Sequence, residues 1–217
     1  MYNMPYFKEK DFATVREFMQ QHPFVVVCGA STDLQPVATH IPVLIEEREG
    51  RLYLLGHIMR QTDHHKTFAQ NPNVLAIFSG PHTYVSASLY SNPRQASTWN
   101  YMTVHARGQL HFLDDEGLLS LLGKLTSHFE QNADSPASFE KLPPDYVERL
   151  SKAIIAFEIE VEGIDNVFKL SQNRDESSYD HIIDHLAKGD TDSRNIATAM
   201  QQRSSQLFKP KDPQGAD

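Results

Sequence analysis

The chain has 217 residues with a formal net charge of −8, and 40% of its residues are hydrophobic. This content of large apolar side chains excludes global disorder, and the length suits one large domain or one domain with a helical appendage. The acidic balance argues against a free-standing nucleic-acid binder, because nucleic-acid affinity comes mainly from Lys and Arg side chains that neutralise phosphates.

The first half of the chain begins with a helix and then changes to strands. Asp11–Gln21 places apolar residues at helical spacing. Phe24–Ala30 is β-branched and almost wholly apolar, which predicts a strand buried on both faces. Val37–Ile45 predicts a second strand with Pro42 at an edge or bulge, and Arg51–His57 completes a hairpin with it.

The second half contains longer strands and most of the helices. A strand at Val74–Ser79 is expected to stop before Pro81, and a short strand follows at Thr83–Ser86. Trp99–Leu110 alternates like a long strand with one bend, and Ile154–Val161 alternates Glu with apolar side chains. Helices are predicted over segments 114–129, 146–152, 179–188 and 195–203.

Six or seven short strands, mostly joined by hairpin-length turns, favour a mainly β (α+β) fold with peripheral helices, built as a closed antiparallel barrel. Closure would remove the edges that such apolar strands otherwise expose. A parallel nucleotide-binding sheet is disfavoured, because the chain lacks regular strand–helix alternation and a glycine-rich first turn.

The cellular compartment is suggested by three features. The single cysteine, Cys28, excludes an internal disulfide framework and suits a reducing cytoplasm. The N-terminal residues lack the pattern of a signal peptide. No window approaches the roughly 18 consecutive apolar residues of a membrane span. We therefore expect a soluble, cytoplasmic protein with no membrane partner.

Polar side chains cluster where the predicted strands end. Thr39 and His40 interrupt one apolar strand, and Arg60 and Gln61 follow the strand that ends at His57. The run TWNY opens a later strand, and the run KLSQNR is almost wholly polar. A phosphate needs such donors, and a flat ring needs an apolar wall beside them, so the pattern predicts a site for a small anionic ligand with a ring.

Several motifs follow one another along the chain. They are MYNMPYF, HPF, ATHIPVLI, LLGHIMR, FSGPHTYVSASLY, TWNYMTVHARG and KLSQNR, and they extend from Met1 to Arg174. In this order and spacing the chain resembles the PaiB group of FMN-binding negative transcriptional regulators. The combination of the last three motifs is specific, whereas any one of them alone would be weak.

The resemblance implies a fold, a cofactor and an assembly. The implied fold is an FMN-binding split β-barrel of the antiparallel Greek-key type, as in flavin reductases and pyridoxamine-phosphate oxidases. Residues 1–174 would form this domain, 175–208 would add C-terminal helices packed on it, and 209–217 would be a disordered tail. The implied cofactor is FMN, bound in a groove between the subunits of a homodimer.

The resemblance also implies the cofactor-binding residues by position. Two of them lie on the strand that faces the FMN phosphate in this superfamily, four follow the next strand, three close the site, and the last four are expected from the partner subunit. In chain order they are Thr39, His40, His57, Met59, Arg60, Gln61, Trp99, Asn100, Tyr101, Lys169, Ser171, Gln172 and Asn173.

Two stretches depart from the family pattern. After GHIMRQ the family usually has Asn-Pro, a polar residue and Trp, whereas this chain has Thr62-Asp63-His64-His65. The family's SPSWY is SASLY here, so that Ala87 and Leu89 replace a proline and an aromatic residue. These changes leave the phosphate strand intact, alter the outer wall of the pocket, and leave open whether FMN is held more weakly.

Each site assignment has a structural alternative. Arg60 could be a surface loop residue, although a guanidinium that grips an anion bidentately favours a phosphate contact. Trp99, the only tryptophan, could belong to the core. Lys169–Asn173 could be a strand end capped by side-chain hydrogen bonds.

The sequence predicts neither a metal site nor an identifiable catalytic residue. The chain has eleven histidines, but it has no HExxH or His/Cys spacing, and His64 and His65 would point ~100° apart on a helix. Cys28 lies in an apolar strand, where a buried thiol is unreactive. There is no Gly-x-Ser-x-Gly elbow of a hydrolase.

Three functions are compatible with these patterns. In the first, implied by the resemblance, an FMN-loaded homodimer represses sporulation or degradative-enzyme genes, although the charge of −8 disfavours direct DNA contact. In the second, the protein is an FMN-dependent oxidoreductase, with His57 and His82 as acid–base candidates. In the third, it senses another phosphate ligand or haem.

Overall fold

The structure is a computed structural model that describes residues 1–92, 94–132 and 134–208. One sheet contains seven strands within this part of the chain. The strands are β1 (Phe24–Ala30), β2 (Pro36–Pro42), β3 (Leu44–Arg48), β4 (Arg51–Met59), β5 (Asn73–Val85), β6 (Thr98–Phe112) and β7 (Ile154–Lys169). The α-helices are α1 (Phe12–Gln21), α2 (Asp63–Gln70), α3 (Asp115–Glu130), α4 (Pro144–Ser151), α5 (Glu176–Leu186) and α6 (Thr191–Leu207).

The sheet closes because its two outermost strands are neighbours in sequence. The strand order is β2-β1-β5-β6-β7-β4-β3, and only Val43 separates β2 from β3. A flat sheet of this order would hold β2 and β3 roughly 29 Å apart, at about 4.8 Å per strand. One linking residue spans far less, so the edges must meet, and β2 and β4 are in contact. Antiparallel pairing joins β1 to β2 and β5, and β4 to β3 and β7.

Contacts between residues divide the chain into two compact units. Unit 1 consists of Met1–Val15, Ser79–Thr103 and the described part of Asn166–Asp217. Unit 2 consists of Arg16–Phe78 and Val104–Asp165. The division does not test the predicted boundary at residue 174, which stays a prediction, and the predicted tail at 209–217 lies outside the described residues.

The core of unit 2 lies between the sheet and α3. Leu118, Leu121 and Leu125 recur at helical spacing on α3 and are buried. They form one cluster with a residue from each of three strands, which are Leu44 of β3, Leu55 of β4 and Ala156 of β7. Asp114 caps the helix by accepting a hydrogen bond from the Gly117 amide at 2.8 Å. Asp114, the first residue of the predicted segment 114–129, therefore acts as the N-cap of this helix.

The core of unit 1 includes the helix pair α5 and α6. Tyr179 of α5 is fully buried, and its hydroxyl donates to the Met200 carbonyl oxygen of α6 at 2.9 Å. Ile182 and Ile196 are also fully buried. Asp175 and Asp190 cap the two helices, each accepting a hydrogen bond from a backbone amide three residues later. The helix pair is therefore a packed part of unit 1.

The predicted break before Pro81 is wrong, because β5 runs without interruption from Asn73 to Val85. β1 begins at Phe24, and its register with β5 pairs Val26 with Ile77. Pro81 therefore lies beyond the end of β1, where its missing N–H leaves no β1 carbonyl without a donor. β7 is likewise longer than predicted, and it continues to Lys169.

The prediction that β1 is buried on both faces is also wrong. Val25 and Val27 are fully buried, whereas Val26 and Cys28 on the opposite face are only half-buried and Phe24 is 63% exposed. One face of this strand is therefore incompletely covered in the single chain. Cys28 is partly accessible rather than buried.

Gly108 provides a test of the close packing between β6 and β7. A Cβ atom at Gly108 would lie 1.9 Å from the Glu160 carbonyl oxygen, whereas one at Gly163 would meet nothing within 4 Å. We expect Gly108→Ala to lower the free energy of unfolding by about 3 kcal/mol, because backbone must move to admit the methyl group. We expect Gly163→Ala to change it by less than about 0.5 kcal/mol. Urea unfolding measures both values, and equal stabilities of the two variants would contradict this packing.

Candidate functional site

Within unit 2, β2 and β4 approach each other beyond the end of β3. The β3–β4 register ends where Leu44 pairs with Leu55, so residues 56–59 of β4 extend past β3. A Cβ atom at Gly56 would lie 3.2 Å from Ile41 of β2, which shows how closely the strands pack there. Thr39 lies two residues before Ile41, on the same face of β2, and is half-buried. The structure therefore brings the predicted β2 residues to the end of β4.

His57 is the most unusual polar residue of this part of β4. Its ring is half-buried, and its Nδ1 atom is buried without a hydrogen-bond partner among the described residues. Burial lowers the pKa of His57 below its ordinary value, because the charged imidazolium loses hydration. A ring nitrogen of this kind can form a hydrogen bond with a polar group of a ligand.

Arg60 is anchored to the start of β7. Its amide donates to the Ala153 carbonyl oxygen at 2.9 Å, and its side-chain Nε donates to the Ile154 carbonyl oxygen at 2.8 Å. One terminal nitrogen lies 3.5 Å from Asp115, whose side chain is 93% exposed. The amide contact positions the backbone of Arg60 and the Nε contact positions its guanidinium, so Arg60 is not a loose surface residue.

The turn between β4 and α2 uses its own side chains to satisfy the helix start. Gln61 has a left-handed φ of 66°, and the Thr62 side chain accepts a hydrogen bond from the His65 amide at 3.3 Å. Asp63 accepts a hydrogen bond from the His64 amide at 2.7 Å. These helix-start amides are therefore occupied, so a phosphate at this turn would depend on side chains. The TDHH sequence, which departs from the family pattern, thus supplies Thr62 and Asp63 as acceptors for the first amides of α2.

Three predicted residues of unit 2 are exposed in the single chain. His40 is exposed, and its ring centroid lies 6.1 Å from that of Phe24. Met59 is 62% exposed, and Gln61 is exposed. His40 lies on β2, Met59 is the last residue of β4, and Gln61 follows that strand. Among the described residues no partner fixes their side chains in a pocket, and their role in binding stays a prediction.

Unit 1 contains an aromatic groove of about 300 Å³. Its lining comes from β5 and β6, and it comprises Ser79, Gly80, His82, Trp99, Tyr101, Met102 and Thr103. Trp99 is 53% exposed, and its ring centroid lies 6.1 Å from His82 and 6.0 Å from Tyr84. Trp99 is therefore not a core residue. Exposed rings in this arrangement can stack against a flat ligand.

Lys169 at the end of β7 is 9% exposed. Its ammonium group donates to the Thr98 hydroxyl and, at 2.7 Å, to the Trp99 carbonyl oxygen. Burial, reinforced by the charge of Arg174, lowers the pKa of Lys169. The side chain thereby ties the end of β7 to the TWNY segment that lines the groove.

Asn100 and Ser171 form a second connection between the same two segments. Asn100 is fully buried, and its Oδ1 atom accepts a hydrogen bond from the Ser171 hydroxyl at 3.0 Å. Its Nδ2 atom lies 3.5 Å from the Met200 sulfur. Ser171 has a left-handed φ of 62°, and Gln172 accepts a hydrogen bond from the Leu170 amide at 2.7 Å. Gln172 therefore caps the strand end, and Asn173 is exposed.

The prediction from sequence missed three residues that complete this part of unit 1. The rings of Tyr2 and Phe7 each lie 5.8 Å from the Lys169 ammonium nitrogen. The charge of Tyr2, secondary to burial, raises the pKa of Tyr101. Arg174 follows the turn, and its guanidinium lies 4.0 Å from the Tyr90 ring. The aromatic density of MYNMPYF was the only signal in the sequence that could have suggested the first two.

No group of three or more His, Cys, Asp or Glu side chains that could hold a metal ion occurs in the described part of the chain. Within the same residues, no helix is long and apolar enough to cross a membrane.

Comparison with known proteins identifies relatives over most of the chain. Residues 1–163 match the family model described as "Putative FMN-binding domain". The chain is 34% identical over 186 residues to "Protease synthase and sporulation protein PAI 2" of Bacillus subtilis strain 168, covering 86% of this chain and 89% of that protein.

Two solved structures share the fold at low sequence identity. The FAD and heme binding protein from Mycobacterium smegmatis has a TM-score of 0.56 at 16% identity, covering 75% of this chain and 73% of that one. The flavocytochrome Anf3 from Azotobacter vinelandii has a TM-score of 0.56 at 18% identity, covering 77% and 72%. Together with the strand order, these matches confirm the predicted split-barrel fold.

The buried ring of His57 predicts a pH effect on stability. Its folded pKa lies below its unfolded value of about 6.5, so the folded state binds fewer protons and loses stability as the pH falls through about 6.5. The variant His57→Gln should lose less stability than the wild type between pH 7.5 and 5.5. Urea unfolding at these two pH values measures the difference, and NMR titration of the ring protons locates the pKa. Titration of His57 at or above 6.5 would contradict the burial argument.

Proposed function

The chain belongs to the FMN-binding domain family that contains PaiB-like proteins, and on that premise we propose that it is a homodimeric cytoplasmic regulator that uses bound FMN. The observation that carries the proposal is the match of residues 1–163 to the family model together with 34% identity to PAI 2. FMN is the cofactor of this family. We propose in addition that the protein represses genes, forms a homodimer and binds FMN through the residues described below.

The residues of this chain suit the chemistry of FMN. His57 has an orphaned buried Nδ1 atom, and Lys169 is a buried cation that no described carboxylate pairs. The His57 ring nitrogen and the Lys169 ammonium group can each form a further hydrogen bond with a ligand. Trp99 and Tyr101 offer ring surfaces to a flat group. When bound, a flavin supplies hydride and electron transfer, and the protein supplies binding and orientation.

Within unit 1, the aromatic groove suits a flat ring such as that of a flavin. Trp99 and Tyr101 would form the wall of the groove. Lys169 holds the Thr98–Trp99 backbone through its bonds to the Thr98 hydroxyl and the Trp99 carbonyl oxygen. Asn100 is held by the bond that it accepts from the Ser171 hydroxyl. Tight anchoring preorganises the wall and lowers the entropy cost of binding. Ser171, Gln172 and Asn173 would serve through the turn that follows Lys169.

We assign the phosphate contact in unit 2 to Arg60, with Thr39 and His57 as further donors. The bond from the Arg60 Nε to the Ile154 carbonyl oxygen orients the guanidinium, and the amide bond to Ala153 positions the backbone. An ionised donor held in this way makes a strong hydrogen bond to a phosphate oxygen. His40, Met59 and Gln61 are exposed in the single chain and would gain contacts only from a ligand or a second subunit.

The homodimer is supported by an incompletely covered sheet face of unit 2. Val26 and Cys28 of β1 lie opposite Ile77 and Leu75 of β5 on this face, and all four are half-buried beside the exposed Phe24. An apolar face of this kind is typical of a surface that is covered in an assembly. Sedimentation equilibrium should return twice the mass of the chain, and the mass of one chain at micromolar concentration would contradict the dimer.

Regulation without broad contact to DNA follows from the charge of the protein. The chain carries 28 acidic and 20 basic residues, and five of the arginines pair with carboxylates in the described part of the chain. This acidic excess and the pairing of these arginines weaken the attraction to phosphates. We propose that FMN occupancy controls a repressive activity that depends on a partner rather than on a basic DNA-binding face.

A second candidate function is favoured by the pair His82 and Asp192. The His82 ring nitrogen lies 3.7 Å from the Asp192 carboxylate, and His82 lines the aromatic groove. A histidine held by a carboxylate beside a ring-binding groove can donate or accept a proton. This arrangement suits an FMN-dependent oxidoreductase that does not contact DNA.

Arg60 can be tested by comparing two ligands that differ only in the phosphate. We expect Arg60→Met to raise the Kd of FMN by about tenfold or more, because a charged hydrogen bond contributes roughly 1.5–3 kcal/mol. The Kd of riboflavin should change by less than about twofold. Trp99 is the only tryptophan, so its fluorescence can follow the titration. Arg51→Met, at an exposed arginine at the start of β4, is the control, and equal effects of both variants would contradict the assignment.

Regulation can be tested in cells through transcript levels. A strain without the gene should show raised transcripts of the repressed genes, and a chromosomal Arg60→Met allele should reproduce this rise if repression needs FMN. The Arg51→Met allele should behave like the wild type. Unchanged transcripts in the deletion strain would contradict the regulatory function.

The oxidoreductase function can be tested by anaerobic mixing of the FMN-loaded protein with NADH or NADPH. Loss of the oxidised flavin absorbance within seconds, slowed at least tenfold in His82→Gln, would support it. Flavin that stays oxidised with both donors would exclude this reductase activity.

A further inference from the structure

Lys169 is a buried cation without a described anionic partner. Only 9% of the residue is exposed, and its ammonium group donates to the Thr98 hydroxyl and the Trp99 carbonyl, both neutral. None of the ion pairs among the described residues includes it. Because an ammonium group has three donors, one remains for a further acceptor. Buried charges in proteins are normally paired, so this arrangement is incomplete in the single chain.

Arg174 adds a second cation to the same part of unit 1. The turn from Lys169 to Arg174 is tight, since the Arg174 amide donates to the Ser171 carbonyl oxygen at 3.0 Å. The Arg174 guanidinium lies over the Tyr90 ring and donates to Gln95, which is also neutral. Its Nε atom is buried and has no partner among the described residues. Arg174 is therefore a second cation with an unused donor.

The neighbouring carboxylate does not compensate either charge. Asp175 follows Arg174 in sequence, but it accepts hydrogen bonds from the Ser178 amide, the Ser178 hydroxyl and the Ser91 hydroxyl. These bonds lower its pKa to about 2 and commit it to the cap of α5. The hydrogen-bond acceptors of both cations are consequently neutral, and the two positive charges repel each other.

We propose that Lys169 and Arg174 form an anion-binding pair in unit 1 that receives a negatively charged group of a bound ligand. This inference rests on the proposed function in taking FMN as the ligand. FMN offers two anionic groups, the phosphate and the isoalloxazine ring, which becomes negatively charged on reduction. Both groups share the chemistry of an anionic acceptor that faces an ammonium and a guanidinium group.

The test compares Lys169→Met and Arg174→Gln with Lys124→Met, which removes an exposed lysine of unit 2 that is paired with Glu46. Kd values for FMN and riboflavin are measured for each protein, and the flavin midpoint potential is measured by dithionite titration of the loaded protein. Circular dichroism melts establish that each variant is folded. Lys169→Arg keeps the charge and serves where Lys169→Met does not fold.

Two results support the pair and identify the anion. A rise of about ten- to hundredfold in the FMN Kd, with riboflavin unchanged within twofold, assigns the pair to the phosphate in place of the proposed Arg60 contact. An unchanged FMN Kd with a lower midpoint potential, equivalent to a tenfold or greater loss of affinity for the reduced form, assigns it to the ring. Variants of both cations that match Lys124→Met in every measurement would overturn the proposal.

A separate probe distinguishes failure of this inference from failure of the proposed function. If the wild type does not bind FMN, the proposed function fails, and inorganic phosphate then tests the pair directly. A concentration-dependent rise in melting temperature with phosphate in the wild type, lost in Lys169→Met and Arg174→Gln, supports an anion site that serves another ligand. If the wild type does not bind FMN and phosphate does not raise its melting temperature, both proposals are overturned.

Discussion

The single-residue link between β2 and β3 constrains the rest of the sheet. These strands occupy opposite ends of the strand order, yet only Val43 separates them, so the sheet has to close on itself. Closure brings β2 beside the end of β4, where β3 no longer pairs. A Cβ atom at Gly56 would lie 3.2 Å from Ile41 of β2, so a larger residue would crowd this closure. The predicted phosphate residues lie near the place where this pairing changes.

Unit 1 shows polar groups that the single chain leaves incompletely satisfied. Lys169 and Arg174 face neutral acceptors, although burying a charge without a counter-charge costs stability. The same lysine fixes the backbone of the TWNY segment, so its anchoring role and its electrostatic cost come from one side chain. In unit 2 the orphaned Nδ1 of His57 repeats this pattern on a smaller scale. Buried polar groups without a hydrogen-bond partner are candidates for contact with a ligand.

Much of the fold could be predicted because local patterns specify local elements. The apolar spacing of α3, its acidic cap and the alternation of β6 all correspond to elements of the structure. The errors came from positions whose outcome depends on distant strands. Pro81 is tolerated because β1 ends before it, and β1 is half-covered on one face because nothing in the described chain covers Val26 fully. Neither fact is encoded near the residue concerned.

The sequence by itself determined where most strands lie, the preference for a closed sheet, the family and its flavin cofactor, because these depend on periodicity and on motifs. The bounds of β2, β3, β5 and β7 came from the tertiary structure. Only the tertiary structure decided which polar side chains are used internally and which remain available. Gln172 caps a strand end, the α2 amides are occupied by Thr62 and Asp63, and Lys169 keeps an unused donor. A hydrogen bond depends on distance and direction between atoms far apart in sequence, and the chain order alone contains neither.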